Sequence, residues 1–214
     1  MKKCFFIIAI FVSFYSSAIN YDQNFKVKTF SVNEGLSQFD ASMIIQDDYG
    51  LIWISTYDGL NRYDGNDFVQ FRHDPTNPKS IHGNRVLNLY IDSKKNFWVI
   101  TESGKIDRFN FQNEEFEHFD FEPLKYAIVT SFFEDSKNNF WIGTTNGLYR
   151  TRLKENSFKV EGIFFNSSSP GIDNYILSII ENNKTGILVG TPSGGFLLSD
   201  RGGQIYSPSK FLTG

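Results

Sequence analysis

A short pattern recurs four times in this chain and restricts its fold more than any other feature. Asp47, Asp92, Asp135 and Asn182 each close an apolar run, and Trp53, Trp98, Trp141 and Leu188 stand at matching places in the run that follows. These four large apolar residues lie 45, 43 and 47 positions apart. That spacing is the length of one four-stranded propeller blade, so the chain is expected to be all-β and to form a β-propeller.

Each copy reads as local chemistry. A carboxylate or amide side chain at a strand end accepts from backbone amides two residues on and starts a tight turn, which a residue tolerant of positive φ completes. Gly50, Asn96, Asn139 and Gly186 are expected in that second role. The next strand alternates Trp or Leu with smaller residues, as a strand packed in a sheet requires. A second turn follows at Gly59, Gly104, Gly147 and Gly194-Gly195, and a third strand carries Arg62, Arg108 or Arg150 in the first three copies. Identical placement in each copy assigns Trp53, Trp98 and Trp141 to packing between blades rather than to stacking on a sugar. It assigns Asp47, Asp92 and Asp135 to turn capping rather than to calcium, for which no EF-hand spacing exists.

Met1, Lys2 and Lys3 precede an apolar run over residues 4–14 and the small residues Ser16, Ser17 and Ala18. Residues 1–18 read as a secretory signal peptide cut after Ala18, because the run is shorter than the roughly 20 residues of a membrane span. Cys4 is the single cysteine, so the mature chain is expected to lack disulfides, thiolate nucleophiles and Cys-ligated metals. The 23 phenylalanines supply core material for one domain. Without Lys2 and Lys3 the chain holds 19 basic and 24 acidic residues and no basic block, so nucleic acid is not an expected partner.

Blades are expected over residues 40–72, 85–121, 127–164 and 174–207. A lone strand is expected over 24–32; in a propeller such a strand commonly completes the last blade. Four blades plus that orphan strand point to an incomplete ring and to the front portion of a longer chain. Residues 166–168 and 183–185 match the glycosylation acceptor pattern and are read as exposed turns.

Gly35-Leu36-Ser37, the run from Gln46 to Trp53, the run from Asp58 to Gly65, and Phe71-Arg72-His73-Asp74-Pro75 resemble the two-component regulator propeller repeats of bacterial hybrid two-component sensors. The later copies extend the resemblance over nearly all of the mature chain. The fourth departs from it, with Leu188 in place of Trp and Asn182 in place of Asp. The resemblance implies a periplasmic sensor region of two tandem propellers, an Ig-like connecting domain, a membrane helix, and cytoplasmic histidine kinase and regulator domains. It also implies an oligosaccharide ligand and control of the genes for using it. Kinase and regulator segments are missing from this sequence, so the chain itself is expected not to be an enzyme.

His73, His82 and His118 are the three histidines, and no pair shows the spacing or carboxylate company of a zinc site. No metal and no cofactor are expected; His73 and His82 share one loop and read as solvated loop residues in preference to an opportunistic metal site. No serine lies in a nucleophile-elbow pattern.

A ligand breaks the symmetry that a scaffold obeys, so binding residues are sought where the copies differ. In propellers the loops leading into each innermost strand share one face with the loops joining the second and third strands. The lead-in positions are Asp40, Arg85, Ile128 and Tyr175, and the second loops contribute Tyr57, Asp58, Glu102, Asn146 and Ser193. From these, Asp40, Arg85, Tyr175, Tyr57, Asp58, Glu102 and Asn146 are the candidate ligand-binding residues. The main expectation is a non-catalytic sensing propeller, with homodimerisation through propeller surfaces as a further partnership. The alternatives are a protein-interaction scaffold and a glycan-active enzyme, which would require paired acid and base groups.

Overall fold

A computed structural model describes residues 27–102, 105–119, 127–154, 157–163, 174–182, 186–198 and 205–206. Blade 1 consists of β1 (Ala41–Gln46), β2 (Ile52–Thr56), β3 (Gly59–Tyr63) and β4 (Phe68–Phe71). Blade 2 consists of β5 (Val86–Ile91), β6 (Phe97–Thr101), β7 (Ile106–Asn110) and β8 (Glu115–Phe119). β9 (Val129–Glu134), β10 (Phe140–Thr144), β11 (Gly147–Lys154) and β12 (Ser157–Ile163) form blade 3. Blade 4 contains β13 (Ser178–Asn182), β14 (Gly186–Thr191), β15 (Gly194–Leu198) and β16 (Ile205–Tyr206). Each blade is a sequential antiparallel sheet, so the architecture is the expected all-β propeller. β5 lies beside β1, β9 beside β5, and β13 beside β9. No comparable contact brings β13 back to β1 among the described residues, which leaves the arc of blades open.

The first turn of each blade shows why Asp recurs. Asp47 Oδ1 accepts from the amides of Tyr49 and Leu51, at 2.9 and 3.0 Å. Asp92 Oδ1 accepts from Lys94 and Asn96, and Asp135 Oδ1 from Lys137 and Asn139, at 2.8 to 2.9 Å. The residue at positive φ is Gly50, Lys95 or Asn138 in blades 1 to 3. Asn96 and Asn139, expected there, instead follow the left-handed residue and donate their side-chain amides to Asp92 and Asp135. The turn places its left-handed position third after Asp; in blade 4, where the spacing from Asn182 to Leu188 is the same, the fourth residue after Asn182, Gly186, takes the positive φ.

The second carboxylate oxygen does something the turn does not need. It accepts from an indole: Trp53 Nε1 to Asp47 Oδ2 at 2.7 Å, Trp98 to Asp92 at 2.9 Å, and Trp141 to Asp135 at 2.8 Å. A buried indole N–H needs an acceptor, and here the turn supplies it. Burial pushes the Asp135 carboxyl up, but the hydrogen bonds from Asn139, Trp141 and the backbone amides outweigh it and hold the group below its ordinary value.

Each tryptophan packs on the following blade. Trp53 sits with Leu89, Phe97, Val99, Phe109 and Phe116 of blade 2, its ring centroid 4.5 Å from that of Phe97. Trp98 packs with Phe132, Phe140 and Ile142 of blade 3, and Trp141 with Ile176, Ile187, Val189 and Phe196 of blade 4. Three apolar walls therefore join the blades. Arg62, Arg108 and Arg150 lie over the outer sides of these indoles, 5.6 to 5.7 Å from the ring centres. Carboxylates also latch neighbours: Glu134 accepts from the Ser93 amide and hydroxyl, and Glu181 from those of Ser136.

The orphan segment expected over 24–32 forms no ladder over its described part, 27–31, and Val32–Glu34 is a short 3-10 turn capped by Ser31. The segment lies instead against the outer strands of blade 1, with Phe30 on Tyr63 and Phe68, and Ser37 bonded through its amide to Asn61. Residues 1–26, including the expected signal peptide, lie outside the described residues, as do Gly104 and both glycosylation-type triplets. No helix among the described residues is long and apolar enough to cross a membrane.

Candidate functional site

The turn between the second and third strands is built by a hydroxyl. Thr56 Oγ1 accepts from the Asp58 amide and donates to the Gly59 carbonyl, at 3.1 and 2.9 Å; Thr144 makes the same pair of bonds with Asn146 and Gly147. Gly59 and Gly147 both take positive φ. These turns meet the lead-in segments, as expected: Gly59 donates to the Asn84 carbonyl at 2.6 Å, Glu102 to Arg85 at 3.0 Å, and Thr145 to Ile128 at 3.0 Å. Lead-in and second-turn residues therefore share one rim.

On that rim three of the candidate residues come together. Arg85 Nη1 binds Glu102 Oε1 at 2.6 Å, and its guanidinium lies 4.3 Å from the centre of the Tyr57 ring. The Tyr57 side chain first, and Glu102 next, hold the arginine above its ordinary value, so it is a permanent cation. All three side chains are a little under half exposed. Tyr57 comes from blade 1 and the other two from blade 2, so the group straddles a blade junction. Asp58 stands beside it on the same turn as Tyr57 and pairs with Arg72 at 3.0 Å.

The remaining candidates are not gathered there. Asp40 bonds through its amide to the Gln38 side chain, and Asn146 accepts from Thr144 and Tyr149 within its own blade. Tyr175 is exposed on the lead-in to blade 4. Ile128 is exposed beside its own turn, and Thr191 bonds the Ser193 hydroxyl at 3.1 Å. Grooves also occur at the opposite rim; the largest described, about 550 Å³, is lined by Tyr49, Arg62, Asp64, Val69, Phe111 and Glu114. Its residues belong to first turns, to third and outer strands, and to the turns that join them.

One cluster escaped the sequence reading. His82 Nδ1 lies 2.6 Å and His118 Nδ1 2.8 Å from the same oxygen, Oδ1 of Asp107. The two histidines therefore do have carboxylate company, and His82 is not the solvated loop residue expected: the His82 and His118 side chains are 23% and 26% exposed. His82 and His118 are far apart in sequence, so spacing alone hid the group. The signal that would have found it is the β7–β8 register, which sets Asp107 opposite His118. His73 is elsewhere, with Nδ1 2.8 Å from the Ile81 carbonyl oxygen.

Comparison with known proteins bears on what this rim belongs to. The family described as Two component regulator propeller matches residues 123–146. A stretch of 60 residues, 28% of the chain, is 42% identical to Histidine kinase P4 of Formosa agariphila and covers 4% of that protein. The chain is similar to two-component regulator propeller repeats over the matched stretch. The fold agrees. The extracellular domain of the hybrid two component system BT4673 from B. thetaiotaomicron superposes on 82% of the repeat chain and 26% of its own, with a TM-score of 0.65 and 20% identity. That of BT3049 from the same organism covers 84% and 31%, with a TM-score of 0.54 and 17% identity. The propeller chain thus spans less than a third of the length of each protein it matches here.

Proposed function

We propose that this propeller is the ligand-sensing segment of a hybrid two-component sensor, that it acts outside the inner membrane without catalysis, and that its ligand is an oligosaccharide. The observation that carries the reading is the Tyr57, Arg85 and Glu102 group. An aromatic face beside a charged hydrogen-bonding pair suits a sugar ring, which offers an apolar patch on one side and hydroxyls around its edge. The group is also asymmetric. The other second turns place Thr145 and Pro192 where Tyr57 and Glu102 stand.

Signalling requires that the ligand bind two arrangements unequally. Tyr57 and Arg85 belong to adjacent blades, so a sugar gripping both favours the arrangement in which that junction is closed. The test is calorimetry of the chain against an oligosaccharide panel, with wild type, Tyr57→Ala and Arg85→Ala. The expected result is saturable binding, unaccompanied by hydrolysis or elimination, that weakens at least tenfold in each variant. Binding unaffected by both variants sinks the site, and turnover of the bound sugar sinks the non-catalytic reading.

A second reading, association with a further protein surface or a second copy, is supported by the flanks of the arc. Ile44 on β1 is 62% exposed and Ile180 on β13 is 60% exposed, while the matching strands between them are half-buried or better. Sedimentation of the chain with and without Ile180→Lys tests it. A monomer unaffected by the change argues against this reading.

A further inference from the structure

We propose that His82, Asp107 and His118 form a binding site for a divalent transition-metal ion of the zinc class. One ligand atom from each of His82, Asp107 and His118 lies within 4.8 Å of the other two, and both Nδ1 atoms approach Asp107 Oδ1, so two imidazoles and a carboxylate are gathered in one place. That donor set suits Zn2+, Ni2+ or Cu2+ rather than Mg2+ or Ca2+, which favour oxygen shells. Tetrahedral coordination needs ligand atoms somewhat farther apart than the 2.6 and 2.8 Å seen to Oδ1, about 3.3 Å for bonds near 2.0 Å. Small rotations of the partly exposed imidazoles supply the difference.

The outer contacts are those that metal ligands use. His118 Nε2 faces the Pro78 carbonyl oxygen at 2.8 Å, which places a proton there and frees Nδ1 to hold a metal. Asp107 Oδ2 accepts from the His82 backbone amide at 2.9 Å, which fixes the carboxylate with Oδ1 directed at both rings. Asp107 is fully buried in β7, whereas both histidines reach solvent. The ion therefore has a buried carboxylate beneath it and an access path from solvent.

The neighbouring blade shows that backbone anchoring does not require these residues. Asn61 stands at the place in β3 that Asp107 occupies in β7, and both are fully buried. Asn61 accepts the Ser37 amide at 2.8 Å, as Asp107 accepts that of His82. A neutral Asn and Ser thus hold the lead-in of blade 1, while blade 2 uses a carboxylate and two imidazoles for the same contact. A buried carboxylate needs a positive partner, and a metal ion supplies one. Metal binding requires the lone pair of each Nδ1, so the ion competes with protons for both rings. The ion clasps His82 to the outer strands of blade 2, three residues before Arg85 on the rim.

The test is calorimetric titration of the metal-stripped full chain with Zn2+ alone, with thermal unfolding measured in parallel. One equivalent is expected to bind and to raise Tm. The variant His82→Ser with Asp107→Asn recreates the blade 1 pair; it is expected to bind at least about 100-fold more weakly, as is His118→Gln. His73→Gln is expected to match wild type. If the double variant fails to fold, His118→Gln carries the test by itself. Absence of stoichiometric Zn2+ binding to wild type, or binding that survives both variants, overturns the site.

Discussion

Blades 3 and 4 share a strand plan and differ in one triplet. In blade 3, Asp135 bonds Trp141, and Arg150 lies over the indole. In blade 4, the same three places hold Asn182, Leu188 and Leu197, with Leu188 opposite both Ile180 and Leu197. All three change together. The hairpin survives with an amide at its corner, so the carboxylate is not there for the turn alone. It is there for the indole, and the arginine is there for the indole's other face. The triplet is one device for presenting a large aromatic to the next blade, and blade 4 presents a flat aliphatic face instead.

The largest effect should come from removing the aromatic itself. Trp98 is fully buried between blades 2 and 3. Trp98→Ala should destabilise the chain by about 3–5 kcal/mol in denaturant unfolding. Leu188→Ala should cost much less, because Leu188 is only half-buried. Equal costs would mean that blade 4 is as tightly covered as blade 2, and the contrast would fail.

Next comes the acceptor. Asp135→Asn leaves a corner residue able to cap the turn but sets an amide donor against those of Asn139 and the indole. The expected cost is about 1.5–3 kcal/mol, typical of a hydrogen bond to a charged group. In a Trp141→Leu background the same change should cost clearly less, because the indole that needs the carboxylate is gone. Additivity of the two changes would show that Asp135 serves the turn alone.

Protonation removes the same acceptor without mutation. The folded value of Asp135 lies below the ordinary carboxylate range, so its contribution is fully present above the unfolded value. It fades as pH falls from about 4 through the folded value. The stability gap between wild type and Asp135→Asn should therefore be constant near neutrality and shrink in acid. A gap that holds steady down to acid unfolding would place the Asp135 contribution outside its charge.

The fold was legible because its repeat is chemical as well as periodic: a turn former, a large apolar residue and a small one recur at a blade's spacing. The turns were legible only in outline. Asn96 and Asn139 read as left-handed residues by composition, yet Lys95 and Asn138 take that place, since position after the aspartate decides it. Of the rim candidates, Tyr57, Arg85 and Glu102 converge because a second turn of one blade meets the lead-in of the next. Asp40 and Asn146 do not, because each is satisfied within its own turn. The histidine cluster was hidden for the opposite reason. Its members come from a connecting loop and two strands, and only a cross-strand register brings them together.

The smallest expected effect concerns the arginine and bears most directly on whether the triplet acts as a unit. Arg150 stacks on Trp141 and pairs with Glu161 across the β11–β12 ladder. Glu161 is well exposed, so the ion pair itself should contribute little. The stacking should contribute about 0.5–1 kcal/mol. Arg150→Gln keeps an alkyl stem and a hydrogen-bond donor but removes the cation, so its cost should fall in that range and persist in high salt. Glu161→Gln should cost less and fade with salt. If the order reverses, the arginine serves the strand pair rather than the indole, and its loss from blade 4 together with Trp and Asp is coincidental. If the order holds, Leu197 follows from Leu188: without a π face to cover, a third-strand arginine has nothing to stack on, and an aliphatic side chain suits the bare surface better.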